Sequence, residues 1–317
     1  MSTATDVDRD SAVQVTSLAA LTVDPVKVRT YRHDPYAREG LLAADRIGVT
    51  ADTLRDHTFV VLKPDAVVGR RGPDVLDVLY EQGWHPRAAT TIRFDPLLTR
   101  ELWRYQFNAA SVARIAVVDH LLGSGDSLLV LLADTERPDW LPASVRLTQA
   151  KGSAEPARAR AGDLRARIGR VNGLFNFVHG PDEPVDVLRE LQLFSYHAGW
   201  SWCADALADP AGVDTTAAAV ETRQLLDALH EGSPAHDLDA RAGLDRLAAA
   251  DHGLWTRLAV RHPRAVDRWL DALSAESLPD GSARWDVLSV VTAAIDCNEP
   301  GVRPLVHTAT VDDWRTR

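Results

Sequence analysis

Between residues 57 and 194, short apolar runs rich in β-branched residues alternate with segments of helical periodicity. The first run, His57–Leu62, is cut off by Lys63-Pro64-Asp65, and the following helix opens on Pro73 and closes at Gly83. Strand and helix repeating in this order predict an α+β fold built on an antiparallel sheet with flanking helices. The remaining predicted strands are residues 84–94, 127–132 and 174–178, with a long loop containing helical pieces over 134–170.

The character of the sequence changes near residue 195. Beyond that point alanine is abundant, and leucine and tryptophan recur at helical spacing, which predicts an all-α domain of roughly four or five helices. The segment before the first strand is predicted as an extended arm leading into a short helix near residues 39–46. The predicted division is a disordered tail over 1–17, an N-terminal arm over 18–56, the α+β domain over 57–194 and the helical domain over 195–317.

Composition excludes some functions. Lys plus Arg total 35 against 45 Asp plus Glu, a net charge of −10. Nucleic-acid backbones and anionic membranes attract positive surfaces, so we predict neither as a partner, whereas a small anionic ligand needs only a local cluster of donors. The N-terminus is acidic without a signal-like apolar run, and Cys203 and Cys297 cannot form a disulfide framework, so we predict a cytoplasmic protein.

Two segments carry the chemistry. One is residues 58–67, in which a strand ends in Lys63-Pro64-Asp65; the other is Asn176-Phe177-Val178-His179-Gly180-Pro181-Asp182, with Glu190 eleven residues after the histidine. Together they resemble the nucleoside diphosphate kinase family, with the Lys-Pro-Asp and Asn-x-x-His-Gly-x-Asp signatures in the same order. The resemblance spans residues 56–194 and implies a ferredoxin-like antiparallel sheet.

The resemblance implies that His179 is a nucleophile, that Glu190 orients its imidazole and that Lys63 binds the phosphates. A neutral imidazole is a competent nucleophile near neutral pH, and an ammonium group stabilises phosphoryl charge as it moves. Lysine is scarce: Lys27, Lys63 and Lys151 are the only ones in a chain with 35 Lys plus Arg. The alternatives are that His179 caps a loop and that Lys63 is a surface residue at a strand end.

The same resemblance implies further ligands of the nucleotide. Tyr105 and Asn176 match residues beside the phosphate and the ribose, although a buried aromatic and a turn asparagine are alternative interpretations. Arg146 and Arg160 are the nearest candidates for two phosphate-binding arginines, against the alternative of a solvated face. The cofactor implied is Mg²⁺ bound to ATP or another nucleoside triphosphate, held through the phosphates without protein ligands.

Several positions depart from the family. Arg114 and Gly173 fall near the positions that normally stack the base, and Pro181 replaces a small hydroxyl residue.

The predicted function is a phosphotransferase that moves a γ-phosphoryl group through phosphohistidine to a nucleoside diphosphate or a related specialised acceptor. The alternative is a catalytically weak nucleotide sensor whose helical domain binds a protein partner; a helical adaptor with a vestigial kinase fold is a third. Family members assemble into multimers, which implies a homo-oligomer unless the extra domain blocks those surfaces.

Overall fold

A four-stranded antiparallel sheet organises the chain in the computed structural model, which describes residues 17–154 and 156–316. The strand order is β2-β3-β1-β4, the order of a ferredoxin-like sheet, and helices cover its faces. This confirms the predicted α+β class and its additional C-terminal helices. The strands are β1 (His57–Leu62), β2 (Trp84–Arg93), β3 (Asp126–Asp134) and β4 (Val178–His179).

Strand β1 lies at the centre because it is apolar on both faces. All of its residues are buried, and it pairs with β3 from His57↔Ala133 to Leu62↔Leu128. On its other side it pairs only with β4, through Val61↔His179 and Leu62↔Val178. This pairing brings the histidine beside the end of β1, where Lys63 follows.

Strand β4 is shorter than the run predicted over 174–178. Residues 172–177 form a turn instead, in which the Asn172 side chain accepts hydrogen bonds from the backbone N–H groups of Leu174 and Phe175 at 2.9 and 2.8 Å. Phe177 adopts a left-handed conformation with φ 71°. An Asn side chain can accept hydrogen bonds from backbone N–H groups that would otherwise pair with a neighbouring strand. The turn at Asn172 therefore forms where the apolar run had predicted a strand.

The segment predicted as an extended arm is helical. It contains α1 (Pro25–Tyr31), α2 (Pro35–Ile47) and α3 (Ala51–Asp56), and only the short helix predicted near residues 39–46 is recovered, inside α2. Asp24 and Asp34 cap α1 and α2 by accepting from backbone N–H groups, and a proline follows each cap. Asp-Pro pairs of this kind are helix-start signals that outweighed the mixed composition. Residues 1–16 lie outside the described residues, so the predicted tail stays a prediction.

Seven helices connect the strands and follow β4. Two of them, together with the 3₁₀ turn Pro156–Arg158, are the helical pieces of the loop predicted over 134–170. They are α4 (Pro64–Val68), α5 (Gly72–Glu81), α6 (Pro96–Leu102), α7 (Val112–Leu122), α8 (Ala143–Lys151), α9 (Leu164–Arg167) and α10 (Pro184–Ala198).

After α10 the described chain forms helices and no further strand of the sheet. Helix α12 (Thr215–Glu231) packs against β2, and α13 (Ala240–Ala249) packs against α16 (Ser282–Ala294). Buried residues of the sheet and of these helices belong to one continuous hydrophobic cluster, except Trp314 of the last helix, which packs with Leu141 and Val145 in a second cluster. The division near residue 195 stays a prediction. The helices are α11 (Ala204–Ala208), α12 (Thr215–Glu231), α13 (Ala240–Ala249), α14 (Leu254–Arg261), α15 (Val266–Ala275), α16 (Ser282–Ala294) and α17 (Val311–Arg315).

Among residues 17–154 and 156–316, no helix has the length and apolar character needed to cross a membrane.

Candidate functional site

The site is centred on His179, the last residue of β4. Its Nε2 lies 2.8 Å from Oε2 of Glu190, which α10 carries on the turn facing the sheet. The two side chains are 14% and 10% exposed, so the pair is shielded but reachable. Burial raises the pKa of Glu190, and the neighbouring His179 opposes that shift. A carboxylate on one ring nitrogen favours the tautomer with its proton there, so the lone pair is on Nδ1.

Aromatic rings hold the imidazole in place. The edge of Trp103 meets His179 with ring centroids 5.2 Å apart, and Phe59 on β1 lies 6.5 Å away. Together with the hydrogen bond to Glu190, these contacts leave the ring little freedom to rotate. A reacting group held in one orientation reacts faster because less order has to be created in the transition state.

Lys63 caps the start of α4 directly after β1. Its Nζ donates to the carbonyl oxygen of Leu174 at 2.8 Å and lies 3.5 Å from Oδ1 of Asp65. Burial lowers the pKa of Lys63, while the charge of Asp65 opposes the shift. Asp65 in turn accepts from the backbone N–H of Phe177 at 2.9 Å, which ties the Lys63 loop to the turn before β4.

Arg165 is a member of the site that sequence reasoning missed. Its guanidinium donates to the carbonyl oxygens of Gly152 and Val178, each at 2.7 Å, and its Nε has no hydrogen-bond partner although it is buried. Burial lowers its pKa to about 10, and the charge of Arg170 adds to the shift. The available signal was the Gly162-Asp163 pair: Arg165 lies two residues after it, whereas both predicted arginines lie before it.

His179, Lys63 and Arg165 line a common cavity of about 100 Å³, which lies between the end of β1, β4 and α7. Asn176 also lines it, and its Nδ2 donates to the carbonyl oxygen of Gly173 at 2.6 Å. Lys63 and Arg165 bring two positive charges beside the histidine, so the cavity suits an anion. Its lining includes Lys63, His179, Arg165, Asn176, Trp103 and Arg114.

Three of the predicted ligands do not line this cavity. Tyr105 donates its hydroxyl to Asp34 at 2.8 Å, and burial together with that carboxylate raises its pKa to about 12. Arg146 binds Asp134 and the carbonyl oxygen of Gln82, at the opposite end of β3 from the site. Arg160 is exposed. Its backbone N–H donates to the side chain of Asp163 at 2.9 Å.

The loop after His179 is held by α8. Thr148 donates to the carbonyl oxygen of Pro181 at 3.1 Å, and Lys151 Nζ donates to that of Gly180 at 2.8 Å. Burial lowers the pKa of Lys151 to about 8, opposed by Asp182. Lys151 was not among the predicted site residues, because no motif surrounds it. These contacts fix the backbone that follows the histidine.

Within the described residues, no group of three or more His, Cys, Asp or Glu side chains is arranged so that it could hold a metal ion. The residues at the cavity are cationic or neutral, apart from the Asp65 and Glu190 carboxylates, which are paired with Lys63 and His179.

No protein-family model and no curated protein matches the sequence. Among solved structures, the nucleoside diphosphate kinase of Aquifex aeolicus is similar, with 20% identity and a TM-score of 0.37 over 44% of this chain and 93% of that one. The nucleoside diphosphate kinase of Encephalitozoon cuniculi is similar with 19% identity and a TM-score of 0.38, over 44% of this chain and 87% of that one. A nucleoside diphosphate kinase family protein from Babesia bovis is similar with 18% identity and a TM-score of 0.35, over 44% of this chain and 86% of that one.

Proposed function

We propose that the protein is a phosphotransferase that carries the γ-phosphoryl group of a nucleoside triphosphate on His179 to a nucleoside diphosphate or a related acceptor. The supporting observation is that His179, which lies 2.8 Å from Glu190, is on the wall of a cavity that Lys63 and Arg165 also line. A nucleophile, a group that orients it and cations for the transferred charge are the parts that phosphoryl transfer requires.

In the first half-reaction, the Nδ1 lone pair of His179 attacks the γ-phosphorus in line with the bridging oxygen. The P–N bond forms, the P–O bond breaks and the nucleoside diphosphate leaves with that electron pair. The imidazole becomes positively charged, and the Glu190 carboxylate, hydrogen-bonded to Nε2–H, stabilises this charge. In the second half-reaction an acceptor oxygen attacks the same phosphorus and returns His179 to its neutral form.

Lys63 and Arg165 stabilise the charge on the phosphoryl oxygens. Both are buried, and burial depresses the pKa of each, so a bound anion would raise those pKa values by stabilising the charged forms. A magnesium ion bound to the triphosphate, when present, neutralises part of the phosphate charge. Asn176, which lines the same cavity, would contact the group attached to the phosphates.

The size of the cavity defines which part of the substrate it accepts. At about 100 Å³ it is below the roughly 300–1,000 Å³ of ordinary ligand pockets. It therefore accommodates a terminal phosphoryl group, while the remainder of the nucleotide lies outside it. The substrate thus enters with its phosphates first.

The test is covalent labelling of the full chain with γ-labelled ATP and Mg²⁺. We expect an acid-labile, alkali-stable label on the wild type and on His33→Ala, an exposed-histidine control, and none on His179→Ala. Chasing the labelled protein with nucleoside diphosphates and other acceptors then identifies the second substrate. A label that persists in His179→Ala would exclude the proposed nucleophile.

A nucleotide sensor is the second candidate, favoured by the small cavity and by the absence of Arg146 and Arg160 from its lining. In that case ATP binds the wild type, Lys63→Ala weakens binding, and no label forms on His179. Calorimetric titration run beside the labelling experiment separates the two functions.

A further inference from the structure

A second, larger cavity adjoins the site. Its volume is about 500 Å³, and it shares Arg114, Ala154 and Gly173 with the cavity that contains His179. Its outer wall comes from residues 292–300, at and beyond the end of α16, which lie outside the part of the chain that carries the two motifs. The C-terminal helices therefore contribute directly to the space in front of the histidine.

The wall is attached by backbone pairing to the segment that leads into α7. Ala110 and Asn298 form an isolated antiparallel β-bridge. The Ser111 N–H donates to the carbonyl oxygen of Cys297 at 3.2 Å, and the Glu299 N–H donates to that of Ala109 at 2.9 Å. Backbone hydrogen bonds on both sides of the bridge fix residues 297–299 relative to the first turn of α7.

Arg114, in that first turn, lies where the two cavities meet. Its Nη1 donates to Oδ1 of Asn298 at 3.1 Å, and its guanidinium lies 6.0 Å from the centre of the Phe107 ring. Its Nε is buried without a hydrogen-bond partner, and no carboxylate in the described part of the chain forms an ion pair with it. The Arg114 side chain is half-buried and burial lowers its pKa, so an anionic ligand in contact with it would stabilise its charge.

We infer that Arg114, positioned by Asn298, binds a second anionic group of the substrate at the junction of the two cavities. The substrate is then a molecule with two linked anionic groups: the outermost phosphoryl group lies beside His179, Lys63 and Arg165, and the next lies on Arg114. The body of the molecule occupies the larger cavity. This inference deepens the proposed function and rests on it for the identity of the reacting group.

The outer wall limits the chemistry of the substrate body beyond the second anion. Asp296 lines the larger cavity and is exposed, so it disfavours a further negative charge there. Asn298 and Thr292 add polar side chains to the same lining. A body with hydroxyl or amide groups, which donate to carboxylate and amide oxygens, fits this chemistry.

The test compares inorganic pyrophosphate with inorganic phosphate as probes, by calorimetric titration of the full chain. We expect the wild type to bind pyrophosphate more tightly, and Arg114→Gln to lose about 10-fold in pyrophosphate affinity but less than about 2-fold in phosphate affinity, as for one charge-assisted contact. Arg114→Lys should recover part of the loss. Arg241→Gln, an exposed arginine paired with Asp245, is the control and should match the wild type.

Asn298→Ala provides a second test, because it removes the side chain that orients Arg114 while leaving the charge. We expect a loss of about 3-fold for pyrophosphate and none for phosphate, with unchanged thermal unfolding. Equal losses of both probes in Arg114→Gln, or no loss of either, would overturn the inference.

The outcome is separable from that of the labelling experiment. His179→Ala should keep the preference for pyrophosphate although it cannot form phosphohistidine. If the wild type is never labelled but Arg114→Gln still weakens pyrophosphate selectively, the second anion site holds and the transferase function fails. If the wild type is labelled but shows no preference for pyrophosphate over phosphate, the transferase function holds and the second anion site fails.

Discussion

In the proposed reaction Glu190 determines how His179 reacts, since its carboxylate lies against Nε2 and leaves Nδ1 to carry the lone pair. The carboxylate has to be ionised to do so, and burial raises its pKa. As the pH falls through this raised pKa, Glu190 is protonated and can no longer stabilise an imidazolium. The acid limb of the labelling rate should therefore lie above the ordinary range of a carboxyl group.

Glu190→Gln should slow labelling about 100-fold and remove the contribution of Glu190 to this acid limb, because an amide cannot stabilise the imidazolium as a charge does. The measurement is the pH dependence of single-turnover labelling. Glu231→Gln, which alters an exposed glutamate at the end of α12, is the matched control. A pH profile that is the same in Glu190→Gln and the wild type would contradict this role.

Lys151 offers a prediction about stability. Its folded pKa, about 8, lies below the ordinary value of 10.5, so the folded state releases this proton more readily than the unfolded state does. Stability relative to Lys151→Met should therefore rise as the pH increases from about 8 to about 10.5, by up to about 3 kcal/mol. Urea unfolding of both proteins across this range measures the difference. A difference that is constant or decreases with pH would show that Lys151 keeps its charge.

At the scale of elements, the N-terminal helices anchor the helix that carries Glu190. Lys27 of α1 lies 2.9 Å from Glu183 and 2.5 Å from Asp186, the capping-box residues at the start of α10. Burial opposes the charge of Lys27, but Asp186 and Glu183 hold its pKa above the usual range. Tyr31 adds a hydrogen bond to Asp186 at 2.7 Å. Asp186 lies one turn before Glu190, so this cluster sets the position of α10 against the sheet.

Lys27→Met should destabilise the protein by about 3–5 kcal/mol, because it leaves two buried carboxylates without their cation. Denaturant unfolding measures the loss. Arg29→Met, which alters an exposed residue of the same helix, should change stability by less than about 0.5 kcal/mol. If both variants lose equally little, the cluster does not anchor α10.

For the whole molecule, the continuous core predicts cooperative unfolding. Leu226 of α12 is fully buried and packs onto Gly72 so closely that a Cβ at Gly72 would lie 2.6 Å from Leu226 Cδ1. Trp285 of α16 packs against Phe175, with ring centroids 6.2 Å apart, in the turn before β4. The C-terminal helices thus share side-chain contacts with the elements that form the site.

Leu226→Ala should lower stability by about 2–5 kcal/mol through the cavity it leaves. We expect one thermal transition, with β1 and α16 losing protection against hydrogen exchange together. Leu42→Ala, on an exposed side chain of α2, is the control. Two separate transitions in the wild type would show instead that the helical part unfolds independently.

The sequence by itself determined the fold class and predicted the residues at the centre of the candidate site. Runs such as His57–Leu62 specify a buried strand through their own composition, and the spacing of Lys63, Asn176, His179 and Glu190 is a local property of two motifs. The Asp-Pro helix starts at residues 24 and 34 are equally local signals. Tertiary structure decided the rest. Arg165 and Arg114 line the cavity beside His179, and Arg146 and Arg160 do not, because a long arginine side chain has no position until the surfaces around it have packed.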